Sequence, residues 1–363
     1  MPSYKIPEFN LLHLDKYAKA ALKYKNRIAR PGWSGKNIER RIVFMRIVVL
    51  DGFALNPGDL NWDEINAIGD TIVYDRTEAR LIVNRISNCD VVLTNKTPIT
   101  RETIDACPSI RFIGILSTGY NTVDVAYAQE KGIVVCNVPD YCTNCVAQHV
   151  FAMLLAYTNH IAEHATSVRE GAWKRCPDFS YWKYPISEVY GKIMGIIGLG
   201  RIGKRVASIA NAFGMKVLAY TPDPDRSLES DMLRFASLDE VLTESDCLSL
   251  HCPLTDETRH LIRRETIAKM KPGMILINTS RGQLINELDL SAALMSGKIR
   301  LALLDVLSEE PPRNGSPLID SPRCVVTPHI SWAPREARMR LMSIMRDNLI
   351  AYRDGHPINT IQL

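Results

Sequence analysis

Three short segments carry side chains that could move a proton beside a bound anion. The stretch "NTSRGQLIN" (278–286) presents Arg281, "LLDVLSEEPP" (303–312) presents Asp305, Glu309 and Glu310, and "TPHISWA" (327–333) presents His329. Arginine's planar fork grips a carboxylate through two parallel hydrogen bonds. An imidazole can give or take a proton near neutral pH. A carboxylate beside it orients the ring and favours its protonated form. Taken singly, an arginine or a histidine after an apolar run is most often structural, and "EEPP" alone reads as a solvated turn. Together they could hold a carboxylate and deliver a proton to an oxygen next to it.

That combination needs elements that bring the three segments to one place. Each follows a β-branched apolar run, the second set of which comprises "IMGIIGLG" (193–200), "KVLAYT" (216–221), "CLSLHC" (247–252), "MILINTS" (274–280), "LALLDV" (301–306) and "CVVTPH" (324–329). An earlier set comprises "IVVL" (47–50), "TIVYD" (71–75), "VVLT" (91–94), "FIGIL" (112–116) and "IVVCN" (133–137). Helix-like segments alternate with these strands, the pattern of parallel sheets with crossover helices. The expected fold class is therefore α/β, with two doubly wound parallel-sheet (Rossmann-like) domains and a cleft between them. Arg281, the acids and His329 would then share the carboxyl edge of one sheet, where such folds bind ligands. A long helical segment from near Cys142 to 171 joins the sets, and an amphipathic helix closes the chain after 334. Expected boundaries are 45–145 plus 332–363 for a substrate domain and 146–331 for a dinucleotide-binding domain.

The turn "GLGRIG" (198–203) follows a strand and opens a helix, the context that makes a G-x-G-x-x-G informative. Gly198 would allow the tight turn, Gly200 the approach of a pyrophosphate, and Gly203 close helix–strand packing. The amides of Arg201 and Ile202 would face the phosphates. With a dinucleotide present, the Arg, acid and His set suits hydride reduction of a 2-oxo acid. Sites for NAD usually place an acid at the end of the next strand. Here Thr221 stands there; Arg226 could pair a 2′-phosphate, whereas Asp223 and Asp225 would repel one. The loop favours NAD(H) and does not exclude NADP(H).

Bulk properties restrict partners and compartment. Hydrophobic residues make up 46% of the 363 residues and charged ones 23%, ordinary for a globular protein. Residues 1–44 carry a net +7 and the remaining chain −3. The reading is a basic, dispensable N-terminal extension on an acidic body with no footprint for nucleic acid. No apolar run reaches the ~20 residues of a membrane span. Nine cysteines, several inside apolar runs (Cys136, Cys324), fit reduced thiols in a cytoplasmic protein. Cys142 and Cys145 form a C-x-x-C without a second pair, and His149, His160 and His164 fall along the linking helix. Neither group suggests a metal site.

The segments "GIIGLGRIGKRVA", "HCPLTDETRHLI", "MKPGMILINTSRGQLINE", "LDVLSEEP" and "TPHISWA" together resemble the D-isomer-specific 2-hydroxyacid dehydrogenases over residues 45 to 363. The resemblance implies Arg281 as substrate-binding arginine, Glu310 as the acid and His329 as general acid/base. It implies Thr279 and Asp305 against the nicotinamide, and Pro253 and Thr258 along the cofactor groove. In the other domain it implies that Thr118 and Gly119 hold the substrate carboxylate, with Lys96 in the same cleft. "YCTNCVAQHVFAMLL" and "HISWAPREAR" are most similar to the glycerate dehydrogenase (hydroxypyruvate reductase) branch. That implies a small 2-oxo or 2-hydroxy acid substrate, hydroxypyruvate or glyoxylate first, and a homodimer. Ser331-Trp332 departs from the smaller pair many relatives carry. A formate-oxidising relative would carry glutamine in place of Glu310. The alternative from another class is an NAD(H)-sensing binding protein on the same fold.

Overall fold

The first set of β-branched runs forms β1 (Met45–Val49), β2 (Gly69–Val73), β3 (Val91–Thr94), β4 (Phe112–Ile115) and β5 (Val134–Cys136). In the computed structural model these make one parallel sheet of order β2-β1-β3-β4-β5. The structure describes residues 45–362; the basic extension expected over 1–44 lies outside the described residues. A second parallel sheet holds β6 (Ile193–Ile197), β7 (Lys216–Tyr220), β8 (Leu233–Phe235), β9 (Cys247–Leu250), β10 (Met274–Asn278), β11 (Ile299–Leu304) and β12 (Cys324–Val326). Its order is β12-β11-β10-β9-β6-β7-β8. Both orders reverse direction once, between β1 and β3 and between β6 and β9. Each sheet therefore has one switch point, the crevice where doubly wound folds seat ligands.

Strands β3, β4, β9 and β10 are buried along their whole length, as expected for sheets covered by helices on both faces. That is why they read as unbroken apolar runs. β8 escapes a pattern reading because its three residues, Leu-Arg-Phe, alternate inside a polar stretch. The long helical segment is two helices, α1 (Thr143–Asn159) and α2 (Ile161–Arg169), and the break is His160 in a left-handed conformation (φ 48°). Its ring stacks on Tyr184 at 5.1 Å, a tertiary contact that no local pattern announces. Helices α3 (Arg201–Ala212) and α4 (Glu287–Ser296) belong with the second sheet. The last helix, α5 (Arg335–Arg353), returns to the first: Leu341, Met345 and Leu349 share a fully buried cluster with Ile47, Val49, Leu93 and Phe112. Each such side chain contributes about 1.5–3 kcal/mol by leaving water.

Candidate active site

At the second switch point the glycines do what the turn requires. Gly198 has φ +96°, and a Cβ there would lie 2.5 Å from the Cys252 amide on the neighbouring strand end. A Cβ on Gly203 would strike the Gly198 carbonyl at 2.2 Å, so helix and strand pack at backbone distance. Gly200 differs: a Cβ there would meet nothing within 4 Å. It is the N-cap of α3, with no side-chain cap and no acid in the first turn. The amides of Arg201, Ile202 and Gly203 are thus left to an outside anion, favoured by the helix dipole. Along the same edge, the Thr279 hydroxyl and His251 Nδ1 are buried without a hydrogen-bond partner among the described residues. Burial also lowers the His251 pKa to about 4. These orphaned groups and the open space over Gly200 fit a dinucleotide. Thr258 closes the adjoining loop by donating its hydroxyl to the Pro253 carbonyl at 2.7 Å.

Strands β10, β11 and β12 are neighbours, so their three following loops emerge side by side. After β10, buried Asn278 donates to the Arg281 carbonyl (2.8 Å) and accepts from the Ser280 amide (3.0 Å), forming the turn that presents Arg281. Arg281 Nη1 donates to the Ser280 carbonyl at 2.7 Å. After β11, Glu310 Oε1 accepts from the Leu307 amide at 3.0 Å, and its Oε2 lies 2.7 Å from His329 Nδ1. Burial pushes the Glu310 carboxyl up, but the hydrogen bond and charge of His329, the Leu307 amide and Lys96 outweigh it, and the net shift is downward. Glu287 supports this loop, accepting from the Ser308 amide (2.7 Å) and the Ser316 hydroxyl (2.6 Å). Among the described residues Glu309 hydrogen-bonds only to Asn314, and of the three acids Glu310 is the one that contacts the His329 ring.

His329 sits in the left-handed region (φ 53°), a conformation that costs a residue without glycine's freedom about 1–3 kcal/mol. Asp305 holds it there. Its carboxylate is fully buried and accepts from the Thr327 hydroxyl (2.5 Å), the Ile330 amide (2.9 Å) and the Ser331 amide (2.8 Å). The family resemblance sets Asp305 against the nicotinamide; the structure leaves it no exposed surface and makes it the anchor of the histidine turn. His149 on α1 joins this network, with Nε2 3.0 Å from the Thr327 hydroxyl, whereas His160 and His164 belong to the aromatic contacts around Tyr184.

The first sheet contributes from the opposite side. Thr118 is fixed by its hydroxyl donating to the Val138 carbonyl (2.9 Å) and by Asn137 Nδ2 donating to its carbonyl (2.7 Å). A Cβ on Gly119 would fall 2.0 Å from Arg281 Nη2, so the Thr118–Gly119 loop touches the guanidinium, and any side chain there would displace it. Lys96 is exposed at the mouth of this region. Its pKa is lowered, first by the protein packed around the ammonium and then by the Arg281 charge, with Glu310 and Asp51 opposing. The structure thus brings Lys96, Gly119, Arg281, Glu310 and His329 to one locus. Thr221 lies at the end of β7, half-buried and uncharged. Beyond it Asp223 is exposed, Asp225 accepts from its own loop at Ser227, and Arg226 pairs with Glu229 at 3.1 Å.

Known proteins are similar to this chain in sequence and fold. Residues 151–331 match the model of the D-isomer specific 2-hydroxyacid dehydrogenase NAD binding domain. The hydroxypyruvate reductase of Blautia hydrogenotrophica is 51% identical over 320 residues, 87% of this chain and 99% of that protein. The chain belongs to the D-isomer specific 2-hydroxyacid dehydrogenase family. The glycerate dehydrogenase of Methylorubrum extorquens is 39% identical over 283 residues, covering 77% of this chain and 88% of its own length. Among solved structures, an acyclic imino acid reductase in complex with NADPH and D-Arg superposes with a TM-score of 0.77 at 32% identity, covering 88% of this chain and all of that one.

As a member of this family the chain is a nicotinamide-dependent oxidoreductase. No helix among the described residues is long and apolar enough to cross a membrane. Sequence reading passed over Asp51, Asn278 and Glu287, and it weighed His149 only as a metal ligand. Asp51, Glu287 and His149 act through amides or hydroxyls far along the chain, as the 178 residues between His149 and Thr327 illustrate, whereas Asn278 shapes the local turn that presents Arg281.

Proposed function

We propose that this chain reduces small 2-oxo acids, hydroxypyruvate and glyoxylate foremost, to the D-2-hydroxy acids with NADH. The observation that carries the reading is the 2.7 Å contact of His329 Nδ1 with Glu310 on the strand edge that also presents Arg281. The names of the relatives from Blautia and Methylorubrum support the substrate class.

Arg281, together with the amides of Thr118 and Gly119, binds the substrate carboxylate and sets the carbonyl beside His329. When bound, the nicotinamide supplies the hydride. With Nδ1 engaged by Glu310, His329 delivers the proton to the carbonyl oxygen from Nε2. Glu310 orients the ring and stabilises its imidazolium form. Asp305 keeps the turn in register, so the proton is positioned without loss of rotamer freedom at each turnover. Lys96 adds a second cation on the substrate side. Gly198, Gly200, Arg201, Ile202 and Gly203 would cradle the pyrophosphate, Pro253 and Thr258 would line the groove, and the Thr279 hydroxyl, unpartnered among the described residues, would be free for the ribose. At the adenosine ribose, Thr221 leaves room while Asp223 keeps the corner negative and Arg226 is engaged by Glu229, which supports NADH over NADPH.

The substrate domain would comprise 45–145 plus 332–363, and the dinucleotide domain 146–331. Trp173, Phe179, Trp182, Ile186 and Tyr190 expose large apolar surface along one segment, Phe179 at 92%, which supports a two-fold homodimer covering it. Nine unpaired cysteines support a reducing cytoplasmic compartment. The test is loss of nicotinamide absorbance with hydroxypyruvate, glyoxylate, pyruvate and phenylpyruvate, each with NADH and NADPH, beside Arg281→Ala. Turnover of the first two with NADH, lost in the variant, is expected. NADH binding without turnover of any acid would overturn the reading in favour of a sensor.

A further inference from the structure

At the first sheet's switch point the backbone amides are already taken by the chain itself. β1 and β3 run side by side with Val49 aligned to Leu93, so Asp51 and Asn95, two residues on, leave the sheet together. Asp51 is 6% exposed and precedes the one-turn helix Gly52–Leu55, yet its carboxylate does not cap that helix. It crosses to the neighbouring loop. Oδ1 accepts from the Asn95 amide at 2.8 Å; Oδ2 accepts from the Lys96 amide (2.5 Å), the Thr97 amide (2.7 Å) and the Thr97 hydroxyl (3.1 Å). A buried carboxylate without a cation is sustained by such convergent dipoles.

The same loop is closed by the Thr94 hydroxyl donating to the Thr97 carbonyl (2.7 Å) and fastened to the end of β4 by Asn95 Nδ2 donating to the Leu116 carbonyl (2.6 Å). Thr94, Asn95 and Thr97 are all buried, and Lys96 between them projects outward. Its ammonium feels both Arg281 and Glu310. Two cations near one small acid divide the work: Arg281 suits the planar carboxylate, and a point-like ammonium suits a single oxygen elsewhere on the molecule.

We infer that Asp51 is a positioning residue, whose grip on the 95–97 amides holds Lys96 where it reads a polar oxygen on C3 of the substrate. The inference rests on the reading of the site as a 2-oxo acid reductase. Hydroxypyruvate carries such an oxygen and pyruvate does not, so the pair of substrates reports on Lys96 directly.

The experiment compares Asp51→Asn, Lys96→Ala and the double variant with hydroxypyruvate and with pyruvate. The Asp51→Asn change would turn an amide donor toward loop amides that need an acceptor. Expected is a KM for hydroxypyruvate raised about tenfold in each single variant, the scale of one well-placed hydrogen bond. The KM for pyruvate should rise clearly less, by about threefold or less from the lost second cation, and the NADH affinity should not change. The double variant should match Lys96→Ala alone. A second readout needs no turnover: the 13C-dimethyl signal of Lys96, identified by its loss in Lys96→Ala, should titrate below ordinary lysines in the native protein. Loss of the Asp51 charge alone would lower it further, so a return toward ordinary lysines in Asp51→Asn reports release of the loop and a further fall overturns the inference. Additive effects in the double variant, or equal losses with both acids, would overturn the inference, as would a Lys96 signal unmoved by Asp51→Asn. If the native protein turns over neither acid, the functional reading fails, and the Lys96 signal alone decides whether Asp51 positions it.

Discussion

The two switch-point crevices of this chain solve one backbone problem in opposite ways. In each, a parallel sheet reverses strand order and leaves amides pointing outward at the strand ends. Between β6 and β9 the following loop is glycine-rich, α3 starts without a side-chain cap, and no described residue comes within 4 Å of the site of a Gly200 Cβ. Between β1 and β3 the amides of 95–97 converge on the buried Asp51 carboxylate. Topology therefore supplies an anion site twice, and side chains decide its occupant. Glycine leaves the place for an exchangeable phosphate. Aspartate fills it permanently and turns the loop into a fixed platform for Lys96.

The proton-transfer pair lies wholly on the second sheet, so its loss should be the largest effect. His329→Ala is expected to lower kcat with hydroxypyruvate by roughly 10²–10⁴-fold, the range of a positioned acid or base, with NADH affinity unchanged by fluorescence titration. A matching loss from a first-sheet residue would break the assignment of chemistry to one half. Next comes Gly200→Asp, which copies the first crevice's solution into the second. Gly200 has ordinary extended dihedrals (φ −75°, ψ −162°) and free space for a side chain, so the fold accepts the change. The new carboxylate would cap α3 and raise or preserve Tm. It would also repel the pyrophosphate at ~4 Å, weakening NADH about 100-fold or more. Unchanged NADH affinity would show that the crevices are not interchangeable in this sense.

Where the two halves touch, the effect should be smaller. In Gly119→Ala the added methyl falls on Arg281 Nη2, and the guanidinium cannot swing freely because Nη1 is held by the Ser280 carbonyl. Loss of one arm of a bidentate grip on the carboxylate should raise KM for every 2-oxo acid about tenfold. The effect should spare kcat. A substrate-selective change would place Gly119 elsewhere than on the carboxylate.

What the sequence discloses depends on distance along the chain. The glycine turn is local, six residues spanning the end of a strand and the start of a helix, and is legible as such. Arg281 and His329 are legible because each closes an apolar run, although "SEEPP" leaves two adjacent acids and only the fold turns Glu310 toward the ring. Asp305 is visible as an acid at a strand end, but its engagement with 327–331 requires β11 and β12 to be neighbours. Asp51 reaches amides 44 to 46 residues away because β1 and β3 pair across the intervening β2, an order no periodicity reveals. The break at His160 is equally silent, since the Tyr184 ring stacked on it comes from a later segment of the chain.

The least effect concerns the acid limb of the open crevice. Glu310 remains partly open to solvent, with 35% of its side chain exposed, and an ion pair so placed is worth about 1 kcal/mol or less. Its carboxyl is held below the ordinary value of 4.5. A carboxyl depressed in the folded state stabilises the protein above its unfolded value, and that contribution disappears as pH falls through the folded one. Glu310→Gln keeps the size and removes the charge. The Tm difference between the native protein and Glu310→Gln should therefore be present above about pH 5 as long as His329 is protonated, and close as the solution is acidified below about pH 4.5. A difference that persists unchanged to about pH 3 would mean that the glutamate acts through its shape and its Leu307 hydrogen bond rather than through its charge on His329. The imidazole would then owe its orientation to the Asp305-held turn alone.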